Sequence, residues 1–254
     1  MTAGVVAVSG NPLAGTENIV VNKPAGTVNG HGLIAIIPLG KGSGADLTVV
    51  TVPDGWELED SERAGTNPIV QGWVYSKIAN DEPASWTWVL SSAPTGAVGA
   101  AIAFENGHAS DIVAAITSAA TLGGTTVPAP SVETTEDDQL VLGVVFSNWA
   151  ELTWTKPTGT PTTTEELDSQ SGNGANQGTL ELFTFIAGAA GATAARSATL
   201  SGDNDAGIGF QIALKNAAAG GGAGTANAGA ETSPALPGRP WTALQPRIMT
   251  GHSA

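Results

Sequence analysis

Apolar runs of strand length recur along this chain, each closed by Gly, Pro, Asn, Asp or Ser. In order they are Ile19–Asn22, Gly32–Leu39, Leu47–Val52, Ile69–Ile78, Ser85–Ser91, Ala97–Phe104, Ile112–Thr117, Leu140–Phe146, Glu151–Thr155, Thr179–Ala187, Arg196–Leu200 and Ile208–Lys215. They are rich in β-branched and aromatic residues, which suit a pleated, half-buried surface. In Ser85-Trp86-Thr87-Trp88-Val89-Leu90 the alternation puts both Trp side chains on one strand face. It is only partial in Leu180–Ile186, as for a strand near a sheet centre. Leu33–Leu39 is apolar throughout, which predicts burial on both faces or at a subunit interface. Asp111–Ala120 also fits a short helix with Asp111 near its start. Regular strands separated by turn signals predict an all-β fold: a two-sheet antiparallel β-sandwich, jelly-roll-like, with an extended C-terminal arm.

The strand pattern stops at Lys215-Asn216. Residues 217–230 are almost entirely Ala and Gly, cannot bury a core, and read as a flexible linker. Within residues 231–254, the segment Pro237–Met249 has spaced prolines, two arginines and bulky apolar residues. Such a peptide on a tether is expected to dock onto something, here through Arg239, Trp241, Leu244, Arg247, Ile248 and Met249. The plainer alternative is a tail with no docking role. The organisation expected is an N-terminal arm (1–16), the sandwich (17–216), the linker (217–230) and the docking peptide (231–254). Val5–Val8 are expected to add a strand to a neighbouring sheet edge.

Composition narrows the function classes. Of 254 residues, 41% are hydrophobic, enough for a core, while only 13% are charged. The formal net charge is −14, and the 9 basic residues are scattered, which argues against nucleic acid and against an anionic membrane surface as partners. Residues 1–216 hold 22 acids and 7 bases, whereas the remainder holds one acid and two bases, so the tail is complementary in charge to an acidic body. Without cysteine there is no disulfide, zinc–thiolate or thiol nucleophile. The start, MTAGVVAVSG, lacks the basic and long apolar regions of a signal peptide, and no run approaches a membrane span. Folding in the cytosol is expected, with any exit from the cell by lysis.

Candidate chemistry is sparse. His31 and His108 sit in Gly-rich turns without motif partners, and no nucleophile elbow, His-Glu-x-x-His pair or P-loop occurs. Glu136-Asp137-Asp138 and Asp203-Asn204-Asp205 offer hard oxygen ligands, but turns attract Asp and Asn for backbone reasons alone. Glu165-Glu166 and Asp168 would need another carboxylate to form a glycosidase pair. Of the seven Trp residues, Trp73, Trp86 and Trp88 lie within strands and read as core; Trp149 and Trp154 flank a polar loop and are the candidates for carbohydrate contact. No catalytic residue, metal site or cofactor is expected.

The order of short motifs carries a resemblance. Lys23-Pro24-Ala25-Gly26 leads into Gly32-Leu33-Ile34-Ala35, followed by Pro53-Asp54-Gly55-Trp56, Val74-Tyr75-Ser76-Lys77-Ile78-Ala79, Ser85-Trp86-Thr87-Trp88, Gly99–Phe104, Ala129–Thr134 and the closing Ala213-Leu214-Lys215. Over residues 17–216 this resembles a β-sandwich module of minor tail and other virion proteins of phages infecting actinobacteria, and of some bacterial surface proteins. The departure is Asn29-Gly30-His31-Gly32, where that module has Gly-Asp. The resemblance implies a non-enzymatic virion structural protein, assembled in the host cytoplasm and released by lysis, with other virion proteins and copies of itself as partners. A minor tail protein is the leading expectation. The rivals are a capsid decoration protein and a host-attachment module that binds a cell-surface glycan.

Overall fold

A computed structural model describes residues 1–149, 151–172 and 175–217. These residues form an all-β, antiparallel sandwich built from eighteen strands. The first half contains β1 (Gly4–Ala14), β2 (Asn18–Asn22), β3 (Gly32–Lys41), β4 (Val49–Thr51), β5 (Glu57–Ala64), β6 (Ile69–Ile78), β7 (Ser85–Leu90) and β8 (Gly96–Glu105). The second contains β9 (Val113–Thr121), β10 (Gly124–Ala129), β11 (Glu133–Thr134), β12 (Leu140–Trp149), β13 (Trp154–Thr155), β14 (Thr164–Gln170), β15 (Ala175–Ile186), β16 (Gly191–Ala192), β17 (Arg196–Asn204) and β18 (Gly207–Leu214).

The two halves have the same topology. The first makes a five-stranded sheet β1-β8-β3-β6-β5 and a three-stranded sheet β2-β7-β4; the second makes β9-β18-β12-β15-β14 and β10-β17-β13, and adds a two-stranded sheet β11-β16. Registers match as well. Gly32 pairs with Ile78 and Leu140 with Ile186, both partners displaced by 108 positions. The edge strand next to β6 and to β15 carries a bulge at one residue in each half, Glu59 in β5 and Glu166 in β14. Each bulged Glu accepts a hydroxyl hydrogen bond from the neighbouring strand, Glu59 from Ser76 and Glu166 from Thr184. Thr48 and Ser91 exchange two hydrogen bonds (Thr48 N to Ser91 Oγ 3.1 Å, Ser91 N to Thr48 O 2.9 Å), and Thr153 and Ser201 do the same (3.1 and 3.0 Å). The described body is therefore an internal duplication of one sandwich module.

The layers stack three, five, five, three. Inward-facing residues of both five-stranded sheets form one central core: Ile34, Ile36, Val74 and Ile102 from the first half meet Leu142, Phe146, Leu182, Phe210 and Ile212 from the second. β1 lies across β14 and β9 across β5, so the halves meet reciprocally, as two subunits do in an isologous dimer. The opposite face of each five-stranded sheet packs on its own three-stranded sheet. The first outer core holds Leu33, Ile37, Trp56, Tyr75, Trp86 and Trp88; the second holds Val141, Val145, Trp154, Phe183, Phe185 and Leu200. This is why Leu33–Leu39 is apolar without alternation: β3 is central in its sheet and covered on both faces. Close packing shows at Gly143 and Gly178, where an added Cβ would run into the rings of Phe183 and Phe146.

Two segments differ from expectation. Gly4–Ala14, expected within an N-terminal arm, is β1, paired antiparallel with the chain's own β8 from Gly4–Glu105 to Ala14–Gly96. Asp111–Ala120 is strand β9 rather than a helix, since Val113–Thr121 pairs with β18. The ends of this body are clasped together. Asn216 accepts from Ala3 N through Oδ1 (3.1 Å) and donates from Nδ2 to Asp137 O (3.3 Å), while its backbone bridges Gly107.

Candidate functional site

The six residues expected to dock a partner, Arg239, Trp241, Leu244, Arg247, Ile248 and Met249, lie outside the described residues. The two carbohydrate candidates do not form one exposed platform. Trp154 pairs with Leu200 in the outer three-stranded sheet and is 7% exposed, part of the second outer core, which corrects its placement on an open surface. Trp149, at the end of β12 beyond a bulge, is half-buried.

The turn acids are held by backbone duties. Asp137 Oδ1 accepts from Ala190 N at 2.8 Å, and Asp138 has φ of 56°. Gln139 Oε1 closes the same turn by accepting from Thr135 N (2.6 Å) and Glu136 N (3.1 Å). Asp203 and Asp205 are exposed and flank a buried Asn204. Among the described residues no group of three His, Cys, Asp or Glu side chains is arranged to hold a metal ion. His31 Nδ1 accepts from Val28 N at 3.4 Å, and His108 Nδ1 lies 3.4 Å from Ser110 Oγ, so both serve their own turns.

The structure does bring one further carboxylate to the Glu165–Asp168 segment. β14 pairs with β15 so that Asp168 stands directly opposite Glu181. Glu181 is fully buried, on the face that carries Phe183 and Phe185, and neither of its oxygens has a hydrogen-bond partner. Burial first, then the negative charges of Glu165 and Asp168, push its carboxyl up to about 8, against a smaller opposing pull from Lys156. A carboxyl that holds its proton at neutral pH suits general acid chemistry. Glu181 is sealed from solvent, however, and Glu166 is committed to Thr184, so this set does not form an accessible acid–base pair.

The most developed polar centre of the first half is Glu82. Its carboxylate takes Lys77 Nζ at 2.8 and 3.0 Å on its two oxygens, Trp86 Nε1 at 2.9 Å and Asn80 N at 2.9 Å. Burial alone would raise its pKa; the hydrogen bonds from Lys77, Asn80 and Trp86, with the charge of Lys77, outweigh burial and hold it below the usual carboxylate range. Below it Trp56, Trp86 and Trp88 pack edge to face with centroids 5.1 and 5.2 Å apart. Burial pushes the Tyr75 hydroxyl, beside Trp88, up to about 12.

The matching place in the second half has different chemistry. Arg196, 5% exposed, lies over the Phe185 ring at 4.8 Å and donates to Thr158 O (3.3 Å) and Pro161 O (3.1 Å). In sequence Arg196 marks only the start of a strand, and Glu181 lies in a partly alternating one. The signal that reveals both is the repeat: Trp73 stands at the position of Glu181 and Trp86 at that of Arg196. Comparison with protein-family models, with curated proteins and with solved structures finds no match.

Proposed function

We propose that this chain is a non-enzymatic structural subunit of a bacteriophage virion, in the first instance a minor tail protein, with capsid decoration as the nearest alternative. The observation that carries this reading is a closed, four-layered body whose two ends are clasped at one point. Asn216 ties Ala3, Gly107 and Asp137 together, and Ala217 N donates to Asn106 O at 2.8 Å. The chain leaves this body at Ala217, beside the clasp. That geometry suits an assembly subunit whose C-terminal segment engages a neighbour. The acidic body and the mildly basic tail support the same division of labour.

The enclosure of Glu181 supports a structural role over a hydrolytic one, because the group best tuned for proton transfer is sealed from solvent. The burial of Trp154 removes one of the two aromatic faces on which the glycan reading relied. The test is to produce particles with the chain cut back to residue 230 and to measure its content in purified particles. Loss of the chain from particles is expected; unchanged incorporation overturns the docking role of residues 231–254.

A further inference from the structure

The repeat makes the two halves controls for each other, and they differ sharply at one polar place. Phe185 stands at the position of Lys77, by the common displacement of 108 along β6 and β15. Arg196 stands at the position of Trp86: Trp86 pairs with Val21 in β2, and Arg196 pairs with Ala129 in β10. The loops that join these positions are tied down alike. Asp81 N donates to Asn29 Oδ1 (2.7 Å), and Ala190 N donates to Asp137 Oδ1 (2.8 Å). The residue after that hydrogen bond is Glu82 in the first half and Gly191 in the second.

Glu82 supplies the carboxylate that balances its centre, receiving both Lys77 and the Trp86 indole N–H. Gly191 supplies none. It has φ of 136°, and the space where a Cβ would project is open. Gly191 also lines a cavity of about 200 Å³, together with Phe185, Pro161, Thr160, Thr193 and Arg196. Arg196 is 5% exposed, and its Nε has no hydrogen-bond partner. Among the described residues none of the ion pairs includes it. A guanidinium taken out of water without a counter-charge is costly, and its planar fork is suited to a carboxylate. Carbonyls of Thr158 and Pro161 and the face of Phe185 satisfy part of it, but none of them is negatively charged.

We propose that this cavity binds a small monocarboxylate with a flat apolar body. Its carboxylate receives Arg196 as Glu82 receives the Trp86 indole N–H in the first half, and its body lies against Phe185 and Pro161. The chemistry favours carboxylate over phosphate: the lining has one cation and no second to meet a further negative charge, and apolar residues make up much of the wall.

The test uses the full chain and benzoate as the probe, with benzamide as its neutral match and inorganic phosphate as an anion without an apolar body. Backbone amide shifts are followed at constant ionic strength. Benzoate should shift the amides of residues 187–196 saturably, with a roughly millimolar Kd as expected of so small a ligand. Benzamide and phosphate should bind at least about tenfold more weakly, the loss of one charge-assisted contact or of the apolar body. Arg196→Gln, checked for folding by its remaining amide spectrum, should lose benzoate binding by a similar factor. If that variant fails to fold, the benzoate–benzamide comparison on the native chain decides alone. Equal responses to benzoate and benzamide, no response to benzoate, or unchanged binding in a folded Arg196→Gln protein would overturn the proposal.

Discussion

Replacing Glu181 by Gln should stabilise the protein in alkali and leave it nearly unchanged in acid. The native state keeps a proton on Glu181 up to about pH 8, whereas the unfolded chain releases it near the ordinary value of 4.5. Folding stability from this group is therefore fully present below the unfolded pKa. It falls as pH rises through the interval and levels off above the folded pKa. At about 1.4 kcal/mol per unit the whole interval corresponds to a ceiling of about 5 kcal/mol. Relaxation around the charged form reduces this, and about 2–4 kcal/mol is expected. Gln matches the shape of the protonated acid and does not titrate. Urea unfolding of both proteins at several pH values from 5 to 9 isolates the effect as the difference between them, in which other carboxylates cancel. The difference should be below about 1 kcal/mol at pH 5, where the unfolded carboxyl has begun to ionise, and favour Glu181→Gln by about 2–4 kcal/mol at pH 9. A difference that stays below about 0.5 kcal/mol across the range, or that favours the native chain in alkali, would refute the argument.

Other consequences follow from the same packing. Glu82→Gln should cost about 2–4 kcal/mol in urea unfolding at pH 7, because Lys77 loses the carboxylate that neutralises it. Since the Glu82 carboxyl is held below the usual range, its contribution is present above the unfolded pKa and disappears as pH falls towards the folded one, so the penalty should shrink in acid. Trp88→Ala, at a fully buried ring, should cost about 3–5 kcal/mol and lower the thermal midpoint accordingly. Gly143→Val should fail to fold or lose more than about 2 kcal/mol, because its side chain would meet the Phe183 ring. Ser76→Ala and Thr184→Val remove equivalent donors to Glu59 and Glu166; each should cost about 1–2 kcal/mol, and unequal losses of more than about 2 kcal/mol would speak against equivalent halves.

The strands were legible because burial imposes its pattern directly on residue choice. Trp86 and Trp88 alternate with Ser85 and Thr87 because one face of β7 meets the core, and Leu33–Leu39 is apolar because β3 is covered on both sides. The duplication was hidden because what repeats is mostly hydrogen-bonding geometry, not residue identity. Asp46-Leu47-Thr48 and Glu151-Leu152-Thr153 are alike, and so are Ser91 and Ser201, but such matches are short and scattered. Only the shared register turns Glu59 and Glu166 into the same bulge. Val5–Val8 have strand character in sequence, but they pair with the chain's own β8, nearly a hundred residues on, and not with a neighbour's edge, because how the sheet closes is set by distant residues. Trp154 looked surface-exposed because a polar loop surrounds it in sequence, while cross-strand pairing with Leu200 buries it. Arg196 stood out in neither charge nor spacing, because its setting is made by Phe185, Pro161 and Gly191 from separate segments.

Whether this body is built into a particle is tested most directly by cryo-electron microscopy of virions purified from cells that produce the chain. The map is predicted to show density at a tail or capsid position that fits two equivalent sandwiches packed through their five-stranded sheets, with further density leading from the Asn216 clasp to a neighbouring protein. Purified virions that lack the chain altogether, or density that joins neighbours with no connection from residue 217, would contradict it.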